Sequence, residues 1–302
     1  MRRMENFCTA ALAGLLLLAA APAQAAAPGA EALGRLLADY APHATLPLPE
    51  LTPAELEELA NGEAIIRLNG TADDDDEVSA MGIVGVRLLE APRLLLWLSV
   101  LGGNDERDWR LTPATLARGE RGAYVRYQHI DLPWPVRDRH WVIQCEKNLA
   151  LAAASNDRAW EHYWSLHDEG PELLYAAHAA GGIPRLSRDD LDDSIFLPAN
   201  RGAWGLIDAG EQHTLVVAFL DAHLGGAFPD RLVRGFTKRR LRAGFERLAD
   251  MATRVHESYD GTPAIHDGQG AAIPAEAAAR AAARWRERLQ LAAAGQAAPA
   301  SR

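Results

Sequence analysis

Trp141-Val142-Ile143-Gln144-Cys145-Glu146-Lys147-Asn148 alternates, with Trp141, Ile143 and Cys145 on one side and Gln144, Glu146 and Asn148 on the other. Successive side chains of a strand point to opposite faces, so this period of two predicts a strand with one buried face. Trp160–Leu166 repeats the pattern, with Trp160, Trp164 and Leu166 sharing a face with His162. Tyr124–Ile130 is rich in aromatic and β-branched residues, and Ala203–Ile207 and His213–Leu220 read as two more strands. The turns between them, at Asp131–Arg139, Ser155–Arg158 and Asp208–Gln212, are short. Short connections imply a mostly antiparallel meander, because a parallel pair needs a long crossover.

Upstream, Glu31–Tyr40 and Pro53–Asn61 read as helices, the second opened by Thr52-Pro53-Ala54-Glu55 with Thr as N-cap and Pro in the first turn. Glu63–Asn69 and Ala80–Leu89 are strand-like, and Asp73–Asp76 between them reads as a solvated hairpin tip. Pro92–Val100 is apolar enough to be a buried helix or a buried strand. Downstream, a helix is predicted from Asp230 to about Tyr259, with Val233, Leu241, Phe245, Leu248, Met251 and Val255 on one face beside Gly244. Such a stripe needs a broad partner, and the sheet is the one candidate large enough. Ala275–Leu291 has high helix propensity and little apolar bulk, which predicts a loosely attached tail.

At the N-terminus, Arg2 and Arg3 precede an apolar run from Cys8 to Ala20, and Ala23-Gln24-Ala25 has the small-x-small form of a signal-peptidase site. This predicts export, with residues 1–25 as signal peptide and a periplasmic or secreted mature chain. The remainder divides into a lead-in over 26–50, one domain over 51–259 and an Ala-rich tail over 260–302. Losing Arg2, Arg3 and Glu5 takes the formal charge from -10 to -11. An acidic chain lacks the basic footprint that nucleic acid requires. Cys145 then stands alone in an alternating apolar stretch, as a buried, inert thiol.

Two sets of residues carry a family resemblance. Leu132-Pro133-Trp134-Pro135-Val136-Arg137-Asp138-Arg139, leading into the strand at Trp141, resembles the proline-flanked turn of the START lipid-transfer family. Gly202-Ala203-Trp204, Thr214-Leu215-Val216 and Asp221…Gly225-Gly226-Ala227-Phe228-Pro229 follow in order and resemble that family's last two strands and the corner entering its final helix. The resemblance spans roughly Leu51 to Val255. Ala222-His223-Leu224 stands where the family has a single Pro, so the corner is longer here. The resemblance implies an α+β helix-grip fold: a curved antiparallel sheet wrapped around a long C-terminal helix, with an internal hydrophobic cavity for a lipid or sterol-like molecule. Each motif also has a structural role, since the prolines stiffen a turn and Asp138 and Arg139 pair or cap it.

No catalytic constellation stands out. There is no Gly-x-Ser-x-Gly elbow, no phosphate-cradling glycine loop, and no zinc spacing around His162, His167, Asp168 and Glu169. No catalytic residue, metal or cofactor is therefore assigned. Candidate cavity walls are Tyr127, Trp141, Ile143, Trp160, Trp164, Trp204, Val217, Phe219 and Phe245; candidate polar tethers are Arg126, His129, Gln144, Glu146 and His162. Leu232 and Phe236, near Lys238, Arg239 and Arg242, form a candidate contact with an anionic bilayer. Two alternatives remain open. One is an enzyme like the polyketide cyclases and aromatases, with His129, His162 or Glu146 moving a proton; the other is a ligand-free envelope module with a filled core.

Overall fold

The computed structural model describes residues 26–46, 48, 50–69, 81–102, 111–132, 136–183, 185–223, 230–258 and 264–297. The expected signal peptide over residues 1–25, the expected hairpin tip at 73–76, residues 133–135 and the expected corner at 225–229 lie outside them. In chain order the elements are α1 (Ala30–Tyr40), α2 (Pro53–Ala60), β1 (Ile65–Asn69), β2 (Met81–Leu89), α3 (Arg93–Gly102), β3 (Leu111–Arg118), β4 (Tyr124–Ile130) and β5 (Arg139–Lys147). Then come α4 (Leu149–Ala154), β6 (Ala159–Leu166), α5 (Gly170–Ala179), α6 (Arg188–Asp193), β7 (Ile195–Phe196), β8 (Ala199–Asp208), β9 (Thr214–His223), α7 (Asp230–Ser258) and α8 (Ala275–Ala297).

The strands form one open sheet in the order β1-β2-β9-β8-β6-β5-β4-β3, with β7 beside the start of β5. Every pairing is antiparallel except β5 with β7. The central strands were legible from alternation; β3 was not, because Thr112-Pro113-Ala114-Thr115 carries little apolar contrast. The Pro92–Val100 run resolves as the helix α3, with Leu95, Leu96, Trp97 and Leu98 all fully buried. A helix that is apolar all round belongs in a core.

Strand alternation divides the sheet into two faces. The inner face meets α3, α7 and α8: Leu206, Val216 and Ala218 pack with Trp97, Phe245, Leu248, Ala252 and Trp285. Gly85 makes room here, since a Cβ on it would come 2.7 Å from Leu241 and 2.9 Å from the Phe245 ring. The outer face meets α1 and α2 at one end, through Val84, Val86, Leu215, Val217 and Phe219 against Leu33 and Leu59. At the other end it meets α5 and α6, through Tyr127 and Val142 against Leu174 and Leu191.

The described apolar side chains of α7, from Leu241 to Val255, pack on the inner face of the sheet against β2, β8 and β9, as the helix-grip reading expects. One expectation changes: α8 is no loose tail, because Ala278, Ala282 and Trp285 are buried against α3 and α7. Small alanines permit close helix approach, and one tryptophan supplies the bulk the composition hid.

The start of α2 is a capping box: the Thr52 hydroxyl accepts from the Glu55 N–H at 3.3 Å, and the Glu55 carboxylate accepts from the Thr52 N–H at 2.8 Å. Glu55 also receives the Arg67 Nε of β1 at 2.9 Å, which ties helix to sheet edge. Thr52→Ala is expected to lower stability by about 1 kcal/mol. An unchanged urea midpoint would show that the box contributes nothing.

Candidate functional site

The inner side chains of β4, β5 and β6 lie in cross-strand register. Arg126 pairs with Ile143 and Tyr124 with Cys145; Cys145 pairs with Trp164, Lys147 with His162 and Ile143 with Leu166. Trp141, Ile143, Cys145 and Leu197 form a buried cluster of their own, joined by Tyr124, Ile130, Trp164 and Leu166. It is separate from the cluster beneath α7. The inner face therefore has two apolar regions, with Lys147 and His162 between them.

The polar groups here are buried and unevenly satisfied. Arg126 is 9 % exposed, its Nε has no hydrogen-bond partner, and no carboxylate among the described residues pairs with it. Desolvation pulls its pKa below the usual arginine value, with the facing Tyr124 and Cys145 opposing. His162 shares a 3.1 Å hydrogen bond between its Nε2 and the Tyr124 hydroxyl, while its Nδ1 is buried without a partner. Burial first, then the charges of Lys147 and Arg126, push His162 down to about 3, so it is neutral at physiological pH. Burial pushes the Cys145 thiol up to about 12, which makes it unreactive as expected. Two polar groups are fixed by tryptophan: Trp141 Nε1 donates to Gln128 Oε1 at 2.8 Å, and Trp164 Nε1 to Asn200 Oδ1 at 2.9 Å.

The residues picked from sequence divide by strand parity. Arg126, Trp141, Ile143, His162 and Trp164 come together around the second cluster. Trp160, Trp204 and Phe245 also face inward but belong to the packed core: Trp160 meets Trp97 edge-on at 5.3 Å, and Trp204 meets Phe245 at 6.0 Å. Tyr127, His129, Gln144, Val217 and Phe219 lie on the outer face, because each is one residue out of phase with the inner set. Glu146 is outer too, accepting from the Tyr163 hydroxyl at 3.1 Å. Lys238, Arg239 and Arg242 are exposed on α7, and the side chains of Leu232 and Phe236 lie outside the described residues. The sequence reading missed Tyr124 and Lys147, although each extends an inner series (Tyr124, Arg126; Trp141, Ile143, Cys145, Lys147) by one alternation.

On the outer face, His129 Nε2 lies 3.2 Å from Ser194 Oγ and 3.4 Å from Asp138 Oδ2. The acid and the hydroxyl address the same nitrogen, and Ser194 donates to the Asp190 carbonyl at 2.6 Å. An activated serine needs the acid on the opposite nitrogen of its histidine. Asp138 instead caps the turn, accepting the Leu132 N–H at 2.8 Å, as its sequence position predicts. Of the three candidate proton carriers, only His162 faces inward.

No family model matches the chain, and no curated protein matches it. Among solved structures it is similar to human STARD10, at 11% identity over 64% of this chain and 71% of that one, with a TM-score of 0.47. It is similar to human StAR-related lipid transfer protein 5 at 12% identity over 65% and 84%, with a TM-score of 0.46. It is similar to a STAR-related lipid transfer protein from Xanthomonas axonopodis at 17% identity over 62% and 98%, with a TM-score of 0.44. By its own topology, one open antiparallel sheet gripped on its inner face by a long C-terminal helix, the chain has an α+β helix-grip fold.

Proposed function

We propose that this chain binds a lipid, a sterol-like molecule or another apolar compound against the β4–β6 part of its inner face, in the cell envelope. The observation that carries the reading is Arg126. A buried guanidinium with an orphan Nε, beside Trp141, Ile143, Cys145 and Trp164, is costly unless something accepts its hydrogen bonds. A ligand with an apolar body and an oxygen-bearing group meets both demands, the body against the tryptophans and the oxygen against Arg126 or His162. Ligand sites typically combine apolar walls with a few orienting polar groups. The START-like motifs at Leu132–Arg139 and Gly202–Trp204 support the ligand class. The basic start and Ala23-Gln24-Ala25 support export, and exposed Lys238, Arg239 and Arg242 support contact with an anionic membrane.

The test is native mass spectrometry of the full-length chain expressed with its leader, purified from an envelope extract without detergent and incubated with total polar lipids. A stoichiometric apolar adduct is expected, on a mass that also reports whether residues 1–25 are gone. Arg126→Met should lower adduct occupancy about tenfold, the value of one charge-assisted hydrogen bond. A clean apo mass for the wild-type chain would sink the binding reading.

A further inference from the structure

A small pocket of about 150 Å³ opens beside the inner face, lined by Leu101, Arg118, Gly122, Tyr124, Lys147 and His266. Lys147, one of its lining residues, is only 8 % exposed. The Lys147 ammonium has three N–H donors. It gives one to the Gly122 carbonyl at 2.9 Å and a longer one to the Arg121 carbonyl at 3.4 Å. No carboxylate among the described residues lies within ion-pairing distance of it. Asp267, the acid whose charge it feels, is engaged elsewhere: its Oδ1 accepts the N–H groups of Gln269 and Ala271, both at 2.9 Å.

A second nitrogen converges on the same place. His266 Nδ1 is buried without a hydrogen-bond partner. Gly122, at φ +76°, shows how close the two groups are, since a Cβ there would clash with Lys147 Nζ and lie 2.7 Å from His266 Nδ1. The backbone turn has been kept bare where both nitrogens point. Arg118 adds positive charge at the exposed rim. Burial pulls Lys147 down to about 8, and burial followed by the Lys147 charge lowers His266. Asp267 opposes both shifts without cancelling them, and an anion seated between the two nitrogens would oppose them further.

We infer that this pocket takes an anionic oxygen group, a carboxylate or a phosphate, held by Lys147 and His266 with Arg118 at the rim. Tyr124 and Lys147 line the pocket and also belong to the inner face, so a chain attached to the group could continue onto Trp164, Cys145 and Ile143. The ligand class is then an anionic amphiphile; this part rests on the binding function proposed above. The pocket's volume also admits a free small anion, which shares the same chemistry.

The chain contains two lysines, Lys147 and Lys238, so selective carbon-13 labelling of lysine resolves Lys147 directly. The labelled full chain would be titrated by pH alone, then with decanoate, decanol, acetate and inorganic phosphate, with affinities read by calorimetry. Decanoate is expected to bind at least about tenfold tighter than decanol and to raise the Lys147 titration midpoint by roughly one pH unit. Lys147→Met should abolish that preference while still binding decanol. If that variant does not fold, the wild-type titration decides alone. Equal binding of decanoate and decanol with Lys147 unmoved would overturn the anion pocket and leave apolar binding standing. Phosphate or acetate matching decanoate in affinity and in its effect on Lys147 would assign the pocket to a free anion and overturn the amphiphile. No binding of any probe would overturn both readings.

Discussion

Glu161→Ala is expected to lose about 2–4 kcal/mol of stability, a large share of the 5–15 kcal/mol typical of a domain. Glu161 is 1 % exposed on the outer face of β6. Its carboxylate accepts from the Tyr40 hydroxyl, from the Thr45 N–H at 2.9 and 3.2 Å, and from Asn148 Nδ2 at 3.2 Å. Asn148 in turn donates to the His43 carbonyl at 2.7 Å and caps α4 at the Leu151 N–H. One side chain thus fastens the end of α1, the turn after it and the start of α4 to the sheet. Gly205 opposite leaves room for the Tyr40 ring, since a Cβ there would lie 2.8 Å from its Cζ. Removing the carboxylate strands the buried Tyr40 hydroxyl, at about 1–3 kcal/mol, and takes the acceptor from the part-buried Thr45 N–H. Glu161→Gln keeps one acceptor oxygen and should cost less than half as much. Urea unfolding with an unchanged slope measures both, and a loss below about 1 kcal/mol for the alanine variant would refute the clamp.

Phe245→Ala should cost a comparable 3–5 kcal/mol, because the ring is fully buried between Gly85 and Trp204. The more informative measurement is its coupling to Gly85. Gly85→Val alone overpacks the α7 contact and should cost about 1–3 kcal/mol. In the Phe245→Ala background the added valine fills part of the void, so the double variant should be more stable than the sum of the two losses by at least about 1 kcal/mol. Strict additivity would mean that α7 is not seated on Gly85 as described.

Much of this architecture is legible in alternation. Trp141, Ile143 and Cys145 on one side, and Trp160, His162 and Trp164 on another strand, place two strands and their buried faces correctly. The same rule, applied strictly, separates Arg126 from Tyr127 and Ile143 from Gln144, and it would have kept Tyr127, His129, Gln144, Val217 and Phe219 out of the inner set. It would also have carried the inner series on to Lys147. His266 had no such signal, because it follows a Gly- and Pro-containing stretch and reaches Lys147 only through the packing of α3, where Trp97 Nε1 donates to the His266 carbonyl at 2.8 Å. Nor could composition show that α8 would be held by Trp285, since a lone tryptophan in an Ala-rich segment has no partner until the fold supplies α3 and α7.

The strand order has a consequence in time. β2 lies between β1 and β9, so Leu89 waits for Thr214 and Met81 for Ala222. At ribosomal speeds of about 5–20 residues per second, that delay is on the order of ten seconds. Throughout it the β1–β2 hairpin has one bare edge and no α7 to cover Gly85. The newborn chain cannot complete its sheet until its last strand is made, so for that interval its first hairpin has only its own two strands to pair.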